Sequence, residues 1–235
     1  MSSTSKVFKY VNVLVLAFIT LAICYTSLQS MRANAWYFNA KNTLQEITGK
    51  NIDIQQLNLA DDAISLASSL DPAHPHYLQL MAHVKLLKLA VSTNQPDDIA
   101  ASYQQIEQLL LKSVALRETW SETWVALAKV VSYQNGPTDR VYDYIQQAKL
   151  VGPYKIEVHL GAIEIALMNW QQLSPKYKAL YVNELKLAAK HGHKFSRAFD
   201  IAKQVDALPI LCLSLKFGAH FEPVRNSWMF KKQCK

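Results

Sequence analysis

The side chains able to do chemistry in this 235-residue chain fall into a few local groups. His74-Pro75-His76 with His83 offers imidazoles, and His76 and His83 are seven residues apart, two turns of a helix. A zinc site needs three or four converging ligands, and Pro75 interrupts the register before His76. His191-Gly192-His193 reads as a helix stop, where basic side chains suit the negative end of the dipole. Asp61-Asp62 and Asp97-Asp98 are acidic pairs expected near helix starts, where carboxylates meet positive dipole ends. A glycosidase would need two carboxylates set across a cleft, which adjacent acids do not supply. No serine stands in a nucleophile elbow, no Gly-rich phosphate loop occurs, and neither Cys212 nor Cys234 has a nearby base to activate it. The reading is therefore non-enzymatic, with no catalytic residue, no metal and no cofactor.

What remains is aromatic. Arg117, Trp120 and Tyr133 are the best candidates for a binding surface, because exposed aromatics in a groove between helices can hold a peptide or a sugar face. Trp124 and Trp170 read as core packing residues.

These side chains must be positioned by helices. Half the residues are hydrophobic, enough for a packed core, and only 6 Gly and 8 Pro argue against a turn-dense β fold. Apolar residues recur at three- and four-residue steps in four stripes. These are Leu57–Ala60–Ile64–Ala67–Leu70, Tyr103–Ile106–Leu110–Ser113–Leu116, Val141–Tyr144–Ile145–Ala148–Val151 and Tyr181–Leu185–Ala188. Each is the buried face of an amphipathic helix. No segment alternates with period two, so the expected fold class is all-α. Pro72 and Pro153 stop helices; Thr138-Asp139 and Ser174-Pro175 start them with a cap and an early proline.

The first 35 residues differ. Between Lys9 and Arg32 lie 22 residues without formal charge, Tyr10 to Met31, centred on Val13–Tyr25. About 20 residues of helix cross a bilayer, and Tyr10, Tyr25, Trp36 and Tyr37 suit its two interfaces. An uncleaved anchor is the preferred reading. A cleaved signal ending at Ala33-Asn34-Ala35 and a lipoprotein signal at Leu21-Ala22-Ile23-Cys24 are the alternatives. The segmentation is then a short cytoplasmic tail (1–9), an anchor (10–31), a helical domain (33–207) and a C-terminal capping tail (208–235), read as a short helix plus an extended segment. Lys6 and Lys9 favour the tail inside and the domain outside. In such a compartment Cys212 and Cys234 read as a disulfide closing a 23-residue loop, stabilising by about 3 kcal/mol in the chain-entropy model. The alternative is two free thiols in a cytosolic domain.

The net charge is +7. Setting aside Lys6, Lys9 and Arg32 leaves 22 basic against 18 acidic residues, scattered except for Lys231, Lys232 and Lys235. That surface is compatible with anionic lipid and a poor match for nucleic acid.

The stripes share an internal pattern: Ala60–Ile64–Ala67–Pro72 recurs as Ile106–Leu110–Ser113–Glu118, Val141–Ile145–Ala148–Pro153 and Tyr181–Leu185–Ala188–His193. It resembles the second helix of a tetratricopeptide repeat. Trp124-Val125-Ala126-Leu127-Ala128 and Leu160-Gly161 look like the first helix, over residues 36 to about 193 and with an irregular period. The resemblance implies a stack of antiparallel helical hairpins with a groove for a partner protein. The anchor, Trp36-Tyr37-Phe38, Leu70-Asp71-Pro72 with Pro75 and Tyr77, Arg117 with Trp120 and Trp124, Gly152-Pro153, and Leu167 with Trp170 together look like the VpsP-type polysaccharide biosynthesis proteins. That resemblance implies an accessory scaffold in capsule or biofilm exopolysaccharide production. It implies a site in the bacterial inner membrane lipid with the domain in the periplasm, and as partners the proteins of polysaccharide synthesis and export. A glycan-binding or glycan-modifying envelope protein and a general envelope assembly scaffold are the competing functions.

Overall fold

The computed structural model describes residues 2–47, 53–91 and 96–234. The protein is all-α: twelve α-helices and no strand occur among the described residues. The chain forms two compact units, residues 1–93 and 94–235.

The first unit holds α1 (Ser2–Ile47), α2 (Ile54–Leu70) and α3 (Pro75–Val91). Helix α1 is 46 residues long, which is about 70 Å. The sequence predicts an anchor ending at Met31 and a separate domain from residue 33. The helix instead runs straight through that boundary, because no Gly or Pro interrupts the segment. Its two halves have different surroundings. Every described side chain from Phe8 to Leu28 is exposed, and packing begins at Gln29. Beyond it, Ala33, Ala40, Leu44 and Ile47 are buried with Leu57, Ala60, Ile64 and Ala67 of α2 and Tyr77 and Val84 of α3. Small residues seven apart on both partners (Ala33 and Ala40, Ala60 and Ala67) let α1 and α2 approach closely. The exposed half is long and apolar enough to cross a membrane. Asp53 caps α2 by accepting from the Gln55 amide at 2.9 Å, and the helix ends two residues before Pro72. Asp61 and Asp62 lie in the middle of α2 rather than at its start. Asp61 is held there by Lys88 of α3 at 2.7 Å.

The second unit begins with α4 (Pro96–Leu116), α5 (Ser121–Asn135), α6 (Asp139–Val151) and α7 (Ile156–Met168). It continues with α8 (Pro175–Ala189), α9 (Ser196–Gln204), α10 (Leu208–Lys216), α11 (Glu222–Arg225) and α12 (Trp228–Gln233). The predicted helix entry at Asn94–Asp98 falls partly outside the described residues. Short connections fold α5 against α6 and α7 against α8, and α5 also packs on α7 and α7 on α9. Gly161 permits the α5–α7 contact: a Cβ there would lie 2.2 Å from Val125 Cγ1. The predicted stripes form the core, with Ile106, Leu110, Ser113, Val141, Ile145, Ala148, Tyr181, Leu185 and Ala188 all buried; Leu116 is exposed. Thr138 caps α6, accepting from the Val141 amide. Ser174 precedes a proline at the start of α8 but makes no side-chain cap bond.

Ion pairs tie alternate helices together. Glu107–Arg140 joins α4 to α6, Lys129–Glu164 joins α5 to α7, Lys149–Glu184 joins α6 to α8, and Glu157–Arg197 joins α7 to α9. Glu122 of α5 reaches Lys155 at the entry to α7, and Asp139 of α6 reaches Lys176 of α8. Their sequence separations cluster between 33 and 40 residues.

The tail is more helical than the sequence suggests. In place of an extended segment it folds as α10 to α12, with Phe221 and Val224 buried and the turn at Ala219–Phe221 against α8. Arg225 donates to the Leu215 and Gly218 carbonyls at 3.2 and 2.8 Å. A disulfide joins Cys212 of α10 to Cys234 after α12.

Candidate functional site

The three side chains singled out for partner binding do not converge. Arg117 and Trp120 occupy the turn between α4 and α5. There the Arg117 guanidinium lies 4.8 Å from the centre of the Trp120 ring, Arg117 is exposed and Trp120 half-buried. Trp124 follows one turn later; its indole N–H donates to the Glu118 carbonyl at 2.8 Å, and its ring lies 5.8 Å from that of Tyr144. The turn thus presents a cation and two indoles on one corner. Tyr133 is 13 residues along α5 from Trp120, which is about 20 Å. Its hydroxyl donates to Glu164 at 3.2 Å, Glu164 also takes Lys129 at 2.7 Å, and Tyr103 lies alongside. Burial first, then the Glu164 carboxylate, pushes the Tyr133 phenol well above its ordinary value. Tyr133 is a packing and hydrogen-bonding residue between α4, α5 and α7. Trp124 and Trp170, expected in the core, are both only half-buried.

The histidine groups resolve differently. His74 stacks on Tyr77 at 4.0 Å between ring centres and lies 5.4 Å from His76, which in turn faces Tyr37. No cluster of three His, Cys, Asp or Glu side chains able to hold a metal occurs among the described residues. His191 sits 5.7 Å from His159. Burial, then His159 and Lys194, lowers its pKa, with Glu157 opposing.

That neighbour belongs to a polar centre that sequence reading missed. Glu184 of α8 is fully buried and His159 of α7 is 2% exposed. Glu184 Oε2 accepts from His159 Nδ1 at 2.7 Å, and Oε1 takes Lys149 Nζ at 2.8 Å and the Asn183 amide at 2.9 Å. Burial by itself would raise the Glu184 carboxyl. The hydrogen bonds from His159 and Lys149, the Lys149 charge and Asn183 outweigh it and hold the carboxyl below its ordinary value. Four polar side chains thereby fasten α6, α7 and α8 at one point. Glu184 and His159 are buried while Lys149 and Asn183 reach the surface, and the hydrogen bonds among them hold the three helices in register. The sequence carried a signal: α7 is mostly apolar with His159 set in its first turn, and Glu184 adjoins the Tyr181–Leu185–Ala188 stripe. A buried charge of that kind needs a partner from another helix.

Two cavities open in the second unit. One, of about 320 Å³, is lined by Asn169, Trp170, Gln171, Gln172 and Asp206. Asp206 adopts a φ of +55° at the end of α9, a conformation that favours Gly or Asn. The other, of about 550 Å³, lies between the tail and the end of α8 with α9, lined by His193, Phe195, Phe199, Val224 and Met229.

No protein-family model and no curated protein sequence matches this chain.

Proposed function

We propose that the protein is a membrane-anchored helical scaffold, built from tetratricopeptide-like hairpins. It would hold a partner of the exopolysaccharide synthesis and export machinery at the outer face of a bacterial inner membrane. The observation that carries the scaffold part is the set of ion pairs between alternate helices at separations of 33 to 40 residues. Stacked two-helix repeats put equivalent helices one repeat apart, so polar contacts recur at the repeat length. The α5–α7 and α7–α9 contacts and the glycine between α5 and α7 support the same reading. The continuity of α1 from its apolar half into the first packed unit supports a stalk without a hinge. Confinement to a surface raises the effective concentration of such a scaffold near an anchored partner. The corner of Arg117, Trp120 and Trp124 is the surface offered to it, since aromatics with arginine dominate binding energetics. The Cys212–Cys234 bridge supports an oxidising compartment. The polysaccharide setting rests on the VpsP-like motifs alone.

The test is in-cell crosslinking from a photoreactive residue at the exposed position of Thr119, followed by identification of the captured protein. Capture of a synthase or export component in the wild-type background, lost with Arg117→Ala and Trp120→Ala together, is the expected result. Capture of pilus or secretion components alone would replace the polysaccharide setting with general envelope assembly. A second reading, direct glycan binding, is favoured by the amides and carboxylate around the 320 Å³ cavity. Sugar binding that survives Trp120→Ala but is lost with Asp206→Gly would move the function there.

A further inference from the structure

The end of the apolar half of α1 is also a binding notch. Tyr25, Thr26 and Gln29 of α1 face Ser69 and Asp71 at the α2–α3 turn across a cavity of about 420 Å³. Two independent features place this notch at one depth. The uncharged stretch ends at Met31 with Arg32 following, and the side chains of α1 change from fully exposed to packed at Gln29. If the exposed half crosses the bilayer, the notch lies at the level of the lipid headgroups.

Its lining selects among headgroups. Gln29 donates to the Tyr25 hydroxyl at 2.9 Å, and Arg32 approaches Gln29 Oε1 at 3.5 Å, so a polar ladder leads from the notch to an exposed guanidinium. Opposite, Asp71 contributes a carboxylate. Burial, followed by the Asp71 charge, raises the Tyr77 phenol, whose hydroxyl donates to Asn34 of α1 at 3.0 Å. No ion pair within the chain engages Asp71 among the described residues. A carboxylate lining the polar notch and a guanidinium one turn beyond it along α1 match a ligand that carries an ammonium and a phosphate.

We infer that this notch binds the headgroup of an aminophospholipid, phosphatidylethanolamine, with Asp71 and the notch hydroxyls on the ammonium and Arg32 on the phosphate. A choline headgroup keeps the charge but loses every N–H donor, so it forfeits the charge-assisted hydrogen bonds. An anionic glycerol headgroup offers Asp71 no cation. The inference rests on the anchored reading of α1.

The experiment uses the full chain in bilayer nanodiscs of phosphatidylcholine with either phosphatidylethanolamine or phosphatidylglycerol, released and weighed by native mass spectrometry. Retention of phosphatidylethanolamine over phosphatidylcholine by about tenfold is expected for one charge-assisted hydrogen bond. Asp71→Asn brings the ratio to about one; Asp71→Glu keeps a preference; Arg32→Gln lowers retention of both lipids without changing their ratio. Circular dichroism of each variant controls for folding. Equal retention of the two lipids by the wild type, preference for phosphatidylglycerol, or an unchanged ratio in Asp71→Asn overturns the inference. Full displacement by an equal concentration of soluble phosphoethanolamine overturns the lipid as source. Release of the protein from bilayers by carbonate would sink the anchor and this inference together, whereas loss of headgroup preference in a protein that stays embedded sinks the inference alone.

Discussion

The two units bury their helices by different means. In the first, α1 and α2 meet along alanines at seven-residue spacing, and the Asp61–Lys88 ion pair spans 27 residues. In the second, charged pairs between alternate helices run from α4 to α9, and one of them enters the core at Glu184. The dry seam suits a mount, because small residues packed closely leave little freedom to shear. The polar ladder ties helices that are not consecutive, because each pair links one helix to the next but one. A buried pair is costly to break one partner at a time, because the charge left behind is buried without compensation.

The largest expected effect comes from opening the polar centre. Glu184→Ala leaves Lys149 and His159 without their acceptor, and should cost about 3–5 kcal/mol. Hydrogen exchange should accelerate in α6, α7 and α8 while α1–α3 keep their protection; acceleration in both units would erase the contrast. Overpacking the other interface should cost less. Ala60→Leu, at a residue with no exposed surface, is expected to lose about 1–3 kcal/mol, with exchange rising in α1 and α2 only. Gly161→Ala should cost a similar amount in the second unit and be partly rescued by Val125→Ala. Additive effects of those two would mean the α5–α7 approach is not the cause.

The pH dependence follows from the same centre. The folded-state pKa of Glu184 is lowered, so its contribution is complete above the ordinary value of 4.5 and is lost as pH falls through the lower folded value. An acid titration of melting temperature should therefore fall less steeply in Glu184→Gln than in the wild type. At the other extreme, burial pushes the Tyr181 phenol up to about 12, with the Ser214 hydrogen bond opposing. Its contribution holds below pH 10 and disappears as pH rises toward 12, a loss that Tyr181→Phe should remove. The smallest effect belongs to the exposed rungs. Arg197→Ala breaks the pair with Glu157 of α7, both partners open to solvent, and should change stability by no more than about 1 kcal/mol. A larger loss would show that the outer pairs act as one network.

Much of this was written in local patterns. The stripes ending in Leu70, Val151 and Ala188 mark real helices, because burial of one face imposes a period of 3.6 on any amphipathic helix. Pro72, Thr138 and Pro175 mark their limits through backbone geometry that needs no neighbour. The Cys212–Cys234 pairing was also legible, since two soluble cysteines allow one bridge. The boundary at residue 32 was not. A change in composition resembles a change in structure, yet α1 continues because nothing local stops it. The separation of Tyr133 from Arg117 and Trp120 was not legible either, because three aromatic or cationic residues within 17 positions look adjacent until α5 places them at its opposite ends.

The sequence by itself determined the helices, their buried faces and the apolar length of α1, because those follow from backbone preferences and from the free energy of removing hydrocarbon from water. Only the tertiary structure decided which charges meet. Glu184 with Lys149 and His159, and the open Asp71 opposite Tyr25, depend on distances between helices that are far apart in the chain. An ion pair needs its two charges within about 4 Å, and no local pattern encodes a neighbour brought in by folding.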